Sequence, residues 1–313
     1  MNDPGGEMMT FDPIPLGALP LLPPLRLAVV GHVEVVTHLP LECLPGPGMV
    51  QRAEQVLDLP GGGGAVAAVQ LARLCEAPVR FYTALGRDES GEAAAAQLRE
   101  LGLDLQVAWR DSPTRRGVSL SDRTGERSIV VIGERLSPAA ADPLPWQELT
   151  GMDGVYVTAA DAPALRLARA AAVLTATPRV RETVLRSAAV PLDALIGSGL
   201  DPAEQLQDGP LDPLPRLHIA TRGAAGGVVE RLCAFRAPKR LAPVRDAYGA
   251  GDSFAAGVTA GLAAGWRPEE AISLGCHCGN ACLDGLGPFA TQLRRSQVGA
   301  PPNQSPRSSS PGR

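Results

Sequence analysis

Lysine is almost absent from this chain. Of its 29 Lys plus Arg residues only one, Lys239, is lysine. No Gly-Lys-Ser/Thr occurs, which excludes a Walker A loop, whose lysine must reach phosphates from a glycine-rich turn. Any bound nucleotide must therefore be held by another device. Long apolar runs are missing too: the longest uncharged apolar stretch, Ser253 to Trp266, has fourteen residues, against the roughly 20 a membrane helix needs. There is no excess of positive charge, the formal net charge being -4, so neither nucleic acid nor a membrane surface is an expected partner. The opening MNDPGGEMM and the six prolines before Leu25 fit neither the basic nor the apolar region of a secretory signal, and a cytoplasmic location is expected. The six cysteines (Cys43, Cys75, Cys233, Cys276, Cys278 and Cys282) are scattered. They read as reduced thiols rather than a disulfide framework or a zinc site.

What the chain has in plenty is glycine and proline, 35 and 30 of its 313 residues, about 21% together against roughly 12% in average usage. Residues 1–24 and 299–313 are Pro-rich or Ser/Pro-rich and read as flexible tails. Between them, over 25–298, short apolar runs alternate with Ala/Leu-rich helical patterns, the pattern of an α/β domain with a mostly parallel sheet. LRLAVVGH, VRFYTALG, GVYVTA, VLTATP, ALIGS and LHIATRG read as strands. Helices are expected at Ala65 to Cys75, Gly91 to Leu101, Ala162 to Ala172 and Pro202 to Gln207. Segments of about 33–59 and 105–135 break the rhythm and read as a small β-rich lid beside the main sheet.

The most informative residues are Asp246-Ala247-Tyr248-Gly249-Ala250-Gly251-Asp252, followed by SFAAGVTAGLAAG. Gly249 and Gly251 allow a tight turn, and the apolar run after Asp252 starts a helix. Unpaired N–H groups and a helix N-terminus then converge on one spot, where an anion belongs. A carboxylate there repels phosphate unless it takes a proton from an attacking hydroxyl while the amides hold a transferring phosphoryl group. The alternative is a glycine-rich turn with Asp252 as a simple N-cap. Gly257, Gly261 and Gly265 recur every four residues along the helix, which suggests close approach to a neighbouring backbone.

DAYGAGD followed by SFAAG resembles the D-T-x-G-A-G-D signature of the ribokinase-like (PfkB) carbohydrate kinases, and the resemblance runs from about Leu25 to about Phe289. It implies a three-layer α/β fold with a small β lid and ATP-dependent phosphorylation of a hydroxyl on a sugar or sugar-like molecule. It also implies ATP and Mg2+ as cofactors, and allows a monovalent cation and a homodimer. By resemblance, Asp252 is the base and the N–H groups of Gly249, Ala250 and Gly251 form an anion hole. Gly61-Gly62-Gly63-Gly64-Ala65-Val66 is similar to the family's sugar-lining G-G-x-G-x-N, with Val66 in place of Asn. Val30-Gly31-His32-Val33-Glu34-Val35-Val36 replaces the usual Asn-x-Asp, leaving His32 and Glu34 as polar candidates for the acceptor hydroxyls.

Thr221-Arg222-Gly223-Ala224-Ala225-Gly226 resembles the family's nucleotide-contacting T-x-G-x-x-G, and Asn280 falls where relatives border adenine. Asp201, with Glu204 nearby, stands in for the family's Asn-x-x-Glu and would hold magnesium through water. Arg115, Arg116 or Arg127 on the lid could meet an anionic substrate; solvated lid charge is the plainer reading. Two rival functions remain. One is a non-catalytic nucleotide- or metabolite-binding regulatory protein on the same fold. The other is an NAD(P)-dependent oxidoreductase using the G-x-G-x-x-A run from Gly62 to Ala67.

Overall fold

The computed structural model describes residues 9–299 apart from 54, 76 and 126. Two strands, β1 (Thr10–Phe11) and β2 (Leu27–Val30), precede a hairpin, β3 (Glu34–Pro40) and β4 (Leu57–Gly61). Then come α1 (Gly63–Leu74), β5 (Val79–Gly86), α2 (Glu89–Glu100), β6 (Leu103–Arg110) and a second hairpin, β7 (Arg116–Ser121) and β8 (Arg127–Ile132). The chain continues through β9 (Gly154–Val157), α3 (Ala162–Ala168), β10 (Val173–Ala176), α4 (Glu182–Ala188), β11 (Ala194–Ser198) and β12 (Leu217–Thr221). It closes with β13 (Gly227–Val229), β14 (Cys233–Phe235), α5 (Ala250–Ala263) and α6 (Pro268–Cys282).

Ten strands form one sheet in the order β1-β14-β13-β12-β11-β10-β9-β2-β5-β6. It is parallel except where β13 runs antiparallel to β12 and β14. Parallel neighbours cannot be joined by tight turns, so crossover helices cover the sheet and bury both faces. Side chains of β2 show the result: Leu27 and Val29 enter a core shared with α1, α2, α5 and α6. Ala28 and Val30 enter a second core with α3 and α4. The three-layer expectation is met, and the six strands read from the sequence all lie in this sheet.

The remaining four strands form the expected small sheet, in the order β4-β3-β7-β8. The second lid segment contributes only from Arg116, because β6, up to Arg110, pairs with β5 in the main sheet. Strand β8 is an edge, and Ile129, Val130, Val131 and Ile132 are 40–59% exposed on it.

Local capping explains the helix starts. Asp88 accepts the Gly91 N–H at 2.7 Å and Asp161 the Ala164 N–H at 2.8 Å, each satisfying an orphan donor of α2 or α3. The helix expected over Pro202 to Gln207 is instead a single 3-10 turn, Pro202–Glu204, before an irregular run rich in proline. The glycine spacing in α5 has the expected cause at two of its three positions. A Cβ on Gly257 would lie 2.8 Å from Gly275 Cα of α6, and one on Gly261 would lie 2.7 Å from Ala271 Cα. Gly265 differs: it follows the helix end with φ +75 and open space around it.

The first segment corrects the expectation of a flexible tail over 1–24. Residues 1–8 lie outside the described residues, but β1 pairs with β14 and Leu19 and Leu22 are buried. The Ile14 N–H donates to Ser273 Oγ at 2.9 Å, and His277 Nε2 lies 2.8 Å from Ile14 O, so α6 supplies partners that an extended Pro-rich strap lacks internally. At the other end Gly299 N–H donates to Leu16 O at 2.9 Å, and residues 300–313 lie outside the described range. Among the described residues no helix is long and apolar enough to cross a membrane.

Candidate active site

Asp246 builds the turn that precedes α5. It is buried, and its carboxylate accepts the N–H groups of Tyr248 at 2.8 Å and Gly287 at 3.0 Å, with His38 Nδ1 3.5 Å away. Burial alone would push its pKa up, but His38 and these two amides together hold it below the usual carboxylate range. Gly249 then takes φ +83, and a Cβ there would meet Val66 Cγ1 at 2.8 Å and Pro288 Cβ at 2.9 Å, so the turn needs glycine twice over. Helix α5 begins at Ala250. Its first turn leaves the N–H groups of Gly251 and Asp252 without an acceptor among the described residues, while Ala250 N–H reaches back to Ala247 O at 3.5 Å.

Asp252 sits in this first turn. Burial pushes its carboxyl up to about 6; Arg179 and Arg127 pull it down, while Glu204 and Glu34 add to the rise. The residue as a whole is half-buried. It lies against the start of α1, where a Cβ on Gly63 would come within 2.6 Å of Asp252 Oδ1 and 3.7 Å of His32 Cε1. Gly63 therefore lets the carboxylate and the imidazole share one small space.

His32 is buried, and burial, then Arg135, Arg115 and Arg179, hold its pKa well below the ordinary value. The ring is thus neutral, and its Nδ1 has no partner among the described residues. Glu34 begins β3 and is bound on both sides. Tyr248 Oη donates to its Oε1 at 3.2 Å, and Arg115 Nε lies 3.1 Å from Oε2. The same Tyr248 hydroxyl accepts the Gly62 N–H at 2.9 Å. The structure thus brings His32, Glu34, Gly62, Gly63 and Asp252 together, with Gly249 and Gly251 at the start of α5. Gly61 packs beside them, where a Cβ would clash with Tyr248 and with Val36.

Val66 does not belong with them as a substrate contact. It is fully buried against Gly249, and its carbonyl accepts Gln292 Nε2 at 3.0 Å, so it shapes the turn and is not exposed to a ligand. The dinucleotide reading of Gly62 to Ala67 also falls away. This run follows β4 of the small sheet, not a strand of the parallel sheet as that motif requires.

Asp201 and Glu204 converge on one cation that the sequence pattern did not single out. Arg179 Nη2 lies 2.8 Å from Asp201 Oδ2, and Arg179 Nε donates to Glu204 Oε1. The second oxygens are used as well, by Ala203 N–H at 3.0 Å and Ser198 N–H at 2.8 Å. These hard oxygen donors are of the type Mg2+ prefers, but Arg179 already supplies their positive charge, and among the described residues no group of three His, Cys, Asp or Glu could hold a metal. As arranged, the residues do not fit a directly bound ion.

On the nucleotide side, Thr221 ends β12, and the turn through Gly223 and Gly226 leads into β13 with φ +55 and +84 at the two glycines. The loop after β11 packs on it, Gly199 N–H donating to Thr221 O at 2.8 Å. Asn280 stands on α6 in a separate cluster: its Oδ1 accepts Arg240 Nη1 at 3.0 Å, and Arg240 also pairs with Asp284 at 2.7 Å. Sequence reasoning missed Tyr248, Arg135 and Arg179. The only advance signal for Arg179 was its place in Thr-Pro-Arg-Val-Arg directly after a strand.

The sequence model described as pfkB family carbohydrate kinase matches residues 25–198 and 192–289. No curated protein matches the chain. Among solved structures, ribokinase from Thermotoga maritima is similar at 22% identity and TM-score 0.68, the match covering 88% of this chain and 98% of that one. Arabidopsis thaliana ribokinase complexed with ribose and ATP matches at 19% identity and TM-score 0.68, over 88% of this chain and 97% of that one. Adenosine kinase from Sinorhizobium meliloti matches at 18% identity and TM-score 0.65, over 84% and 95%.

Proposed function

Because the chain belongs to the pfkB family of carbohydrate kinases, we propose that it transfers the γ-phosphoryl group of ATP to a hydroxyl of a sugar or sugar-like acceptor, with Asp252 as the base. The observation that carries this reading is Asp252 itself: a carboxyl raised to about 6, in the first turn of α5, beside amides that have no internal acceptor. As the acceptor oxygen bonds to the γ-phosphorus, its proton passes to Asp252 and the bond to the ADP oxygen breaks, ADP leaving with the electron pair. A carboxyl with a pKa near 6 is a stronger base than an ordinary aspartate yet is ionised at neutral pH. The free amides at the start of α5, those of Gly251 and Asp252, with the dipole of the helix, would face the charge that builds on the phosphoryl oxygens, Ala250 N–H being turned back to Ala247 O.

His32 and Glu34 would orient the acceptor: the neutral imidazole offers one donor and one acceptor nitrogen, and Glu34 is fixed by Tyr248 and Arg115. The T-x-G-x-x-G turn, Thr221, Gly223 and Gly226, would approach the nucleotide, and Asn280 would border its base. ATP as the donor is supported by the Arabidopsis ribokinase, which was solved with ribose and ATP, and a nucleoside acceptor is suggested by the adenosine kinase. Mg2+ would arrive on the nucleotide's phosphates, since the described residues offer it no fitting cage; no step is assigned to it or to a monovalent cation. The exposed edge of β8 is where a second copy would pair, its unpaired backbone groups flanked by four apolar side chains.

The deciding experiment is ATP consumption over sugars, nucleosides and phosphosugars, with wild type and Asp252→Asn side by side. Turnover abolished in the variant supports the reading. ATP binding without turnover on any acceptor would favour a regulatory protein on the same fold, for which the full burial of Val36 and Val66 at the family's polar positions speaks.

A further inference from the structure

We infer that the acceptor of this site carries an anionic group, a phosphate or a carboxylate, received by the guanidinium groups of Arg135 and Arg181; this rests on the kinase reading above. A cavity of about 690 Å3 opens between the small sheet and the loops that follow β10 and β11. Its lining includes Arg115, Arg135, Arg179 and Arg181 against Glu134 and Glu182.

Most of these charges are already matched. Arg115 faces Glu34, and Arg179 faces Asp201 and Glu204. Glu182 is taken by Arg186 and by the N–H groups of Gln207 and Asp208. Among the described residues Arg135 donates only to a carbonyl, Arg179 O, at 2.7 Å, and Arg181 makes no ion pair. Among the described residues neither has a carboxylate within ion-pair reach, Glu134 included. Two arginines without an anion of their own therefore line one cavity beside two further arginines, an arrangement that a bidentate phosphate or carboxylate satisfies.

Two further observations agree. Arg181 is a non-glycine residue at φ +90, an uncommon backbone state held at the cavity wall. Arg135 is held below its ordinary pKa by burial and then by Arg115, Arg179 and Arg181, a crowding of like charge that an anion would relieve. The cavity adjoins the acceptor side through Arg115. Arg115 leads into β7 of the small sheet and grips Glu34, and Arg115, Arg135 and Arg179 act on His32. The nucleotide's phosphates, by contrast, are assigned to the amides at α5.

The test measures ATP consumption by the full chain on paired probes: ribose and ribose 5-phosphate, glucose and glucose 6-phosphate, glucose and gluconate. At least one charged probe is expected to exceed its neutral partner in kcat/KM by about tenfold or more, and its KM should rise by about tenfold or more in Arg135→Gln and in Arg181→Gly, while KM for ATP moves less than about threefold. Arg181→Gly removes the guanidinium and relieves the positive φ together, so loss of binding cannot be blamed on unfolding. Turnover confined to neutral probes overturns the inference and leaves the kinase reading intact. A rise in KM for ATP alone also overturns it, by giving the arginines to the nucleotide. If no probe is turned over the kinase reading fails, and calorimetric titration of ribose 5-phosphate then decides: binding lost in both variants supports an anion site, and no binding to wild type overturns it.

Discussion

The Tyr248 hydroxyl donates to Glu34 Oε1 at 3.2 Å while accepting the Gly62 N–H at 2.9 Å, so one buried oxygen ties the small sheet, the start of α1 and the turn before α5 together. Tyr248→Phe leaves the Gly62 amide and one Glu34 oxygen unsatisfied. A loss of about 1–3 kcal/mol is expected in chemical denaturation, together with a fall in kcat/KM, because Glu34 is freed to rotate. Unchanged stability and kinetics would show that the three elements are held by packing alone.

Asp252→Asn separates activity from stability. Its folded-state pKa, about 6, stands above the ordinary 3.8, so between those values the native chain binds a proton that the unfolded chain has released. The contribution of Asp252 to stability is therefore present at low pH and lost as pH rises through about 6; above that the charged carboxylate costs on the order of 1–3 kcal/mol. The variant should have a higher Tm than wild type at pH 7–8 and no such advantage below about pH 4, while kcat drops about 100-fold or more. Wild-type kcat/KM should fall on the acid side with an apparent pKa near 6. A Tm difference that ignores pH would refute the assignment.

Gly63→Ala places a methyl group 2.6 Å from the present position of Asp252 Oδ1. The carboxylate must move, and since an error near 1 Å at a reacting group is costly, a loss of about 100-fold in kcat is expected with the fold retained. Circular dichroism and steady-state kinetics on the same sample check both halves. Activity within about twofold of wild type would remove Asp252 from the reacting position.

Magnesium offers a test that needs no acceptor. With Arg179 occupying the charge of Asp201 and Glu204, Mg2+ titrated into nucleotide-free protein should give no saturable heat, whereas Mg-ATP should bind. Saturable Mg2+ binding by the protein alone would show that Arg179 gives way to the ion.

For the β8 edge, sedimentation of the wild type should show a dimer that Val130→Lys shifts toward monomer, because Val130 is 59% exposed on an edge with unpaired backbone groups. A monomer in both would leave the edge unpaired.

Much of this molecule could be read from local pattern. VRFYTALG is β5 residue for residue, because an interior parallel strand is apolar on both faces. GAGD reads as a helix start because Gly249 alone tolerates its φ of +83. Other features resisted such reading. The Pro-rich segment 9–24 looked unfoldable in isolation, yet β14, Ser273 and His277, more than 200 residues away, supply its partners. Val66 stands at a sugar-contacting position by resemblance to the family motif, but its burial against Gly249 depends on how α1 meets α5.

The sequence by itself determined the elements, their mostly parallel order and the turn chemistry at Gly249–Asp252, because these depend on side-chain period and on backbone freedom within a few residues. Only the tertiary structure decided which charges meet. Asp252 owes its raised pKa to burial, which outweighs the downward pull of Arg179 and Arg127 from other elements, and Arg179 reaches Asp201 and Glu204 across more than 20 residues of chain. Desolvation and Coulomb interaction depend on distance in space, which separation along the chain does not encode.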